Sequence, residues 1–388
     1  MFYAAKIVMI VSGIWRLELP TESIFWKTFY RMYSAASKIL LSTTVFALLA
    51  KFPELLEKDA LAAMEIASLA LACGVVLVKT MACQSPRNLL LIRTARQEED
   101  QLYIHTNKIS EGVYSRHIDY CRKLALIIAI VFLATTFALI AQGVEKNYAL
   151  VKTHQNITVE RPLIFLCWYP FRTENYHSYV LVDQAIRVLN AGTCNLSVNI
   201  FIETVLLFLR AQLIILQEQF RTFHKGIDET PIVNAGQVNH QVIKRLCISH
   251  QKLIYYLASF NDSLKFIMLL EYVASSLIIA SSILEVFGGH NVPFNAGFVM
   301  TNFGGLMFLS WNCNEIMVQV SAELATALYE SKWHEQDKQS NALLQIMLIR
   351  SQKPLAITIG PFGPMTVDAG MSRVRLAYSY TTVLGGNF

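Results

Sequence analysis

This 388-residue chain predicts an all-α membrane protein with seven transmembrane helices. Three observations carry that fold class. Hydrophobic residues make up 54% of the chain and charged residues 16%, with a mean hydropathy of +0.40. A soluble domain carries about 25% charged residues, so this chain has too little polar material to coat a soluble fold of its size. Six stretches are long and apolar enough to cross a hydrocarbon core about 30 Å thick, and a seventh is more polar. Lys and Arg fall unevenly between alternate loops, as the positive-inside rule expects. The composition excludes, as expectations, a soluble enzyme, a disordered protein and a nucleic-acid binder. The net charge of +5 is not gathered into a basic patch. The seven cysteines are far apart, with no C-x-x-C and no metal spacing, and are expected to be mostly buried thiols.

The N-terminal apolar run, Ile7 to Trp15, is short and lacks a small-x-small cleavage site. It is expected to be a membrane-surface segment anchored by Trp15 and Trp26. The first span covers 33–52. The second, 60–82, is rich in Ala, Leu and Val. The third, 123–144, is the cleanest, uncharged from Leu124 to Gly143. The fourth starts at Ser178 and stays apolar to about Phe220. The fifth and sixth, 262–287 and 294–320, flank a short turn rich in Gly, Asn and Pro. The seventh, 365–384, contains Asp368, Arg373 and Arg375, so protein or water should shield it from lipid.

Counting Lys and Arg in the loops places twenty on the side of the N-terminus and six on the other. That puts the N-terminus in the cytoplasm and the C-terminus outside, the inverse of the G-protein-coupled receptor arrangement. Three N-x-S/T sequons occur, and only the one at Asn156 lies in an outside loop, which makes Asn156 the candidate glycosylation site.

Two segments outrun the membrane. The fourth is helix-compatible from Ser178 to about His224, about 70 Å at 1.5 Å per residue and more than twice the hydrocarbon core. The sixth runs without proline from Phe294 to Trp333. A further helical piece, Asn341 to Arg350, follows. Such extensions can pack into a cytoplasmic bundle or lie on the membrane surface; periodicity does not separate these cases. Gly360-Pro361-Phe362-Gly363-Pro364 must break any helix, so the last one starts afresh near Met365. Four regions follow: a cytoplasmic N-terminal segment (1–32), helices one to four (33–220), helices five and six with a cytoplasmic anchor region (221–364), and the last helix with its tail (365–388).

Several short motifs, in order, resemble those of insect odorant receptors. Ser351-Gln-Lys-Pro-Leu355, Ile359-Gly-Pro-Phe362 and Ala377-Tyr-Ser-Tyr-Thr-Thr-Val-Leu384 follow that family's last-helix pattern. Ala327-Leu-Tyr-Glu-Ser-Lys-Trp333 resembles its A-L-Y-x-S-x-W segment, and Ile10 to Trp15 its N-terminal G-L/I-W motif. Two features depart from the pattern: Thr381 stands where an aromatic often follows the tyrosine, and the tail ends in Gly385-Gly-Asn-Phe. The T-Y-x5-Q-F signature of the related gustatory receptors is missing, which ranks that branch lower.

The resemblance implies a subunit of a ligand-gated, non-selective cation channel in the plasma membrane of a sensory-neuron dendrite. Its partners would be a common odorant receptor co-receptor, in a heterotetramer, the lipid bilayer, permeating cations and a small volatile odorant. No cofactor is implied. The last helix of each subunit would line a central pore. Matching its motif residue by residue puts Val383 at the narrow hydrophobic gate and Tyr380 one turn below. Gly386 falls where other members carry a pore-mouth glutamine, which puts a selectivity role there in doubt. A ring of valines can block ions by dewetting; the alternative is that Val383 is a packed helix residue.

The resemblance also implies a pocket in the outer membrane half, and topology selects its candidate residues. They are Met64, Ser68 and Leu71 on the second span, Phe132, Thr136 and Leu139 on the third, Asn190 and Ala191 on the fourth, and Phe298 and Asn302 on the sixth. Apolar walls with a few polar groups suit an ester, alcohol or terpenoid. For each residue the alternative is interhelical packing, and Thr135 and Thr136 could bond their own helix. Glu203 and Arg210, two turns apart, could pair within the bundle. Enzyme signatures such as H-E-x-x-H, G-x-S-x-G, a Walker loop and G-x-G-x-x-G do not occur. A secondary transporter is the alternative from another class, but no internal repeat or midplane helix break points to it.

Overall fold

The computed structural model describes residues 1–15, 23–104, 108–153, 162–223, 235–289 and 291–385. Among them the secondary structure is helical apart from an isolated bridge between Thr358 and Pro364. Six helical stretches are long and apolar enough to span a bilayer. These are α2 (Ile24–Lys58), α3 (Ala60–Cys83), α5 (Lys108–Thr153), α6 (His177–Thr222), α7 (Ala235–Phe287) and the run from α8 (Val292–Asn314) through a π-helical stretch (Glu315–Val320) into α9 (Ser321–Glu330). The more polar α11 (Val367–Gly385) is the seventh. Shorter helices are α1 (Phe2–Val11), α4 (Pro86–Ile104) and α10 (Lys338–Ser351).

Local chemistry sets the boundaries. Asp59 ends α2 and caps α3, its carboxylate accepting from the Leu61 and Ala62 amides at 3.0 and 3.1 Å. Asp337 caps α10 in the same way through the Gln339 and Ser340 amides. The Gly-Pro-Phe-Gly-Pro segment folds into a tight turn, closed by the Met365 amide on the Ile357 carbonyl at 2.7 Å. The last helix begins just past it.

The central element is α6. Its stretch from Leu196 to Leu216 is buried on nearly every side, as expected of a helix apolar all round. At about 70 Å it carries the core from the outer membrane half into the cytoplasmic region. There it packs against α1, α7 and α9, with α10 laid on α7. The overlong segments therefore pack together into a helical bundle at the cytoplasmic end. The extension of α7 runs far past the predicted span. Its buried residues Ile243, Leu246, His250, Leu253, Leu257 and Phe260 recur at spacings of three and four, one stripe of an amphipathic helix. Burial pushes His250 down to about 4, with Arg350 adding repulsion, so it packs in that stripe as a neutral ring.

The N-terminal expectation requires correction. Trp15 is 2% exposed, inside the bundle rather than at a membrane surface. Phe2, Ala5 and Met9 form a buried stripe on α1, and Phe2 meets Phe208 of α6 edge to face at 5.4 Å. The stripe finds a protein partner, which removes the reason for it to seek lipid. Trp26, by contrast, is exposed. The cysteines are free thiols, five of them buried.

Candidate functional site

The outer halves of α2, α3, α5, α6 and α8 enclose a cavity of about 110 Å³. Five of the ten predicted pocket residues line it: Phe132, Thr136, Leu139, Ala191 and Phe298. On α5 the helical spacing turns the whole expected face inward, whereas α6 and α8 each bring one of two expected residues, Ala191 and Phe298. The other five lie off it. On α3 the face turned to the cavity is Leu69, Ala72, Cys73 and Val76, about one residue of helical rotation (roughly 100°) from Met64, Ser68 and Leu71. Ser68 instead donates to the Glu65 carbonyl at 2.8 Å, and Leu71 packs with Val75 beside Ala274 and Ile278 of α7. Asn190 turns to α2, where its amide donates to the Ser37 carbonyl at 3.0 Å and its oxygen accepts from the Ser37 hydroxyl at 2.7 Å. Asn302 bonds its own helix at the Phe298 carbonyl.

Thr44 and Leu48 of α2, Phe165, Arg187, Phe294 and Thr301 also line the cavity, none of them expected from the sequence. Phe294, Phe298 and Thr301 share one helical face, a signal that was available. Phe165 carried none, because it belongs to a non-helical segment that closes the outer end. Gln184, fully buried on α6, fixes that segment: its oxygen accepts from the Ile164 amide at 2.9 Å and its amide donates to the Phe165 carbonyl at 2.9 Å. The Trp168 amide adds a bond to the Ala47 carbonyl of α2 at 2.9 Å. Gln184→Leu would leave two buried backbone groups unpaired, at a cost of about 1–3 kcal/mol each. The variant is expected to unfold at lower temperature in detergent than the parent; an unchanged midpoint would remove Gln184 as the clasp.

The walls are mostly apolar, with few polar groups. The Thr135 and Thr301 hydroxyls meet at 2.9 Å. Thr136 donates to the Phe132 carbonyl at 2.8 Å, so its oxygen offers the cavity only lone pairs. Arg187 is held by Asp183 at 2.7 Å and by the Thr43 and Thr44 hydroxyls. Gly192 allows α6 to approach α5 this closely: a Cβ there would stand 2.7 Å from Thr136 Oγ1.

Charged and amide side chains run inward from this cavity. Asn195, in its wall, accepts from the Asn199 amide at 3.1 Å. Asn199 accepts from Lys79 of α3 at 3.1 Å, and Lys79 also pairs with Glu271 of α7. The expected Glu203–Arg210 pair does not form. Two turns separate them by about 10 Å along the helix, and closer partners stand across the interface. Glu203 accepts from Asn312 at 2.5 Å, and Arg210 pairs with Glu315, at the start of the π-helical stretch, at 2.8 Å.

The last helix packs on α7 and α8. The Tyr272 hydroxyl of α7 donates to the Ala369 carbonyl, and the Arg373 guanidinium lies over the Tyr272 ring at 4.3 Å. Gly370 lets α11 come close to α8, where a Cβ would be 2.8 Å from Ser310 Oγ. Asp368, Ser372, Arg375, Ser379 and Thr382 are exposed. Their spacings of four and three put them on one face of the helix. Tyr380 is also exposed but falls off that stripe. Val383 is on α11 with its side chain outside the described residues, where Gly386 and Asn156 also lie.

The 7tm Odorant receptor family model matches residues 70–378. Odorant receptor 10 of Aedes albopictus is 30% identical over 189 residues, 48% of this chain and 49% of that protein. Odorant receptor 30a of Drosophila melanogaster is 30% identical over 219 residues, 54% of each. The matched part thus spans about half the length of these relatives. The solved insect olfactory receptor OR5 from Machilis hrabei superposes with a TM-score of 0.79 over 99% of this chain and 97% of that one, at 17% identity, and it has also been solved in complex with eugenol. The seven-helix architecture and the family model agree over most of the sequence, and the chain belongs to the 7tm odorant receptor family.

Proposed function

We propose that this protein is the odorant-binding subunit of a ligand-gated, non-selective cation channel. On this reading it assembles with a co-receptor in a heterotetramer, in the plasma membrane of a sensory dendrite. The observation that carries the reading is the stripe from Asp368 to Thr382. An exposed polar face at membrane depth needs water, and a central pore lined by α11 supplies it. The packing of α11 on α8, a wall of the outer cavity, supports coupling between ligand and pore. Asn156 would carry the outward-facing glycan.

The ligand of the outer cavity is a small volatile with an apolar body and one hydrogen-bonding group. An apolar cavity of about 150 Å³ holds benzene, so 110 Å³ suits a molecule near one ring in size. The hydroxyl of Thr136 offers lone pairs, which favours an alcohol or phenol over an ester. The eugenol complex of the OR5 relative supports this class. Phe132→Ala removes apolar wall worth about 1.5–3 kcal/mol and should raise the half-maximal odorant concentration more than tenfold. Thr136→Ala loses one hydrogen bond of about 1 kcal/mol, roughly fivefold. Unchanged dose–response curves for both variants would discard this cavity as the odorant site.

The reading as a whole is tested by expressing the chain alone and with a co-receptor and recording current against an odorant panel. Odorant-evoked current that needs the partner is expected. Saturable uptake without current would replace the channel by a transporter.

A further inference from the structure

Below the outer cavity, in the cytoplasmic half of the membrane region, lies a second and larger one of about 270 Å³. The two share Phe132 and Thr301 as a partition. The wall of the lower cavity is mostly apolar, formed by α5, α6, α7 and α8, and its mouth between α5 and α8 is lined by the exposed Ile127, Met300 and Phe308. Its polar groups come from the chain of side chains already described: Lys79, Asn199, Glu203 and Glu271.

The charges there do not balance. Lys79 is committed to Glu271 and Asn199, which neutralises one carboxylate. Among the described residues Glu203 has no cationic partner. It is 6% exposed, one of its oxygens accepts from Asn312 at 2.5 Å, and Arg210 is held instead by Glu315. A buried carboxylate without a cation is costly, and here it borders an apolar space that could hold one. The geometry points to the lower cavity as a second ligand site, for a small hydrophobic primary amine. Its ammonium would donate to Glu203 and its apolar body would lie against Ile128, Met268 and Leu309, with entry at membrane depth past Met300. The site is separate from the odorant site proposed above and does not depend on that site's assignment.

The test is photolabelling of the full-length protein in lipid nanodiscs at neutral pH. Two probes are used, an eight-carbon primary amine and the matching alcohol, both with a diazirine in the chain. The amine should form adducts on peptides covering 127–131 and 304–309. Gly304 lines this cavity, and a Cβ added there meets nothing within 4 Å, so Gly304→Leu fills the space while favouring the helix. It should abolish those adducts and spare any formed in the outer cavity. Glu203→Gln keeps an acceptor for Asn312 but removes the charge, and should cut amine labelling about tenfold, as expected for one charge-assisted hydrogen bond. The alcohol should label weakly and ignore Glu203→Gln. The site is overturned if no adducts form on these peptides or if Gly304→Leu leaves them in place. Equal labelling by both probes, or amine labelling indifferent to Glu203→Gln, overturns the amine assignment. Loss of outer-cavity labelling alone counts against the odorant site and not this one.

Discussion

Val383→Lys is expected to remove odorant control of the current. In the proposed assembly the last helices surround the pore, and Val383 lies immediately beyond Thr382, the outermost exposed residue of the polar stripe. A narrow ring of apolar side chains expels water and stops ions without occluding the pore completely. Lysine hydrates that ring. The pore then stays wet whatever the ligand does, or the added positive charges repel cations and silence it. Both outcomes abolish the difference between odorant and no odorant. Val383→Ile keeps the ring apolar and should preserve gating. Recording both variants with a co-receptor, after surface labelling has confirmed delivery to the membrane, decides the matter. A normal odorant-evoked current from Val383→Lys would make Val383 an ordinary packing residue.

Legibility in the sequence followed the physical strength of each signal. Span number, the break at Gly360 to Pro364 and the long fourth helix were readable because hydropathy and proline act locally. The cytoplasmic bundle was only half readable. Its stripe from Ile243 to Phe260 sits among lysines and arginines, so average hydropathy hides it, although the three-four spacing was present. The lining of the outer cavity was legible where helix register alone decides, as for Phe132, Thr136 and Leu139. It was not legible on α3, where packing on α2 and α7 sets the rotation and a one-residue error moves every side chain off the cavity. Phe165 and its clasp Gln184 join segments through irregular backbone, which leaves no periodic trace. The pairing of Arg210 with Glu315 shows the same limit for charges: composition announces that a buried charge needs a partner, and only the tertiary fold selects it.

Lys79→Met should produce a large loss of folded protein. Lys79 is 3% exposed, and its ammonium pairs with Glu271 while donating to Asn199. Removing it leaves the half-buried Glu271 carboxylate without this cation; deleting one member of a fully buried pair costs about 3–5 kcal/mol, and the partial exposure of Glu271 places the loss toward the lower end. That is a large share of the stability of an ordinary domain, so little receptor should reach the surface. The double variant Lys79→Met with Glu271→Met separates stability from signalling. Replacing both charges by apolar side chains is often neutral or better, so surface expression should return. Coupling should not return with it. Glu271 is followed on α7 by Tyr272, whose hydroxyl bonds α11 and whose ring carries Arg373, while Lys79 reaches the outer cavity through Asn199 and Asn195. The pair is thus an ion pair within a continuous run of polar contacts from the wall of the outer cavity to α7. Spatial continuity alone does not establish coupling; the double variant does. Normal surface levels with a weakened maximal odorant response would make the pair a transmitting element. Normal levels with an unchanged dose–response curve would confine it to holding α3 against α7.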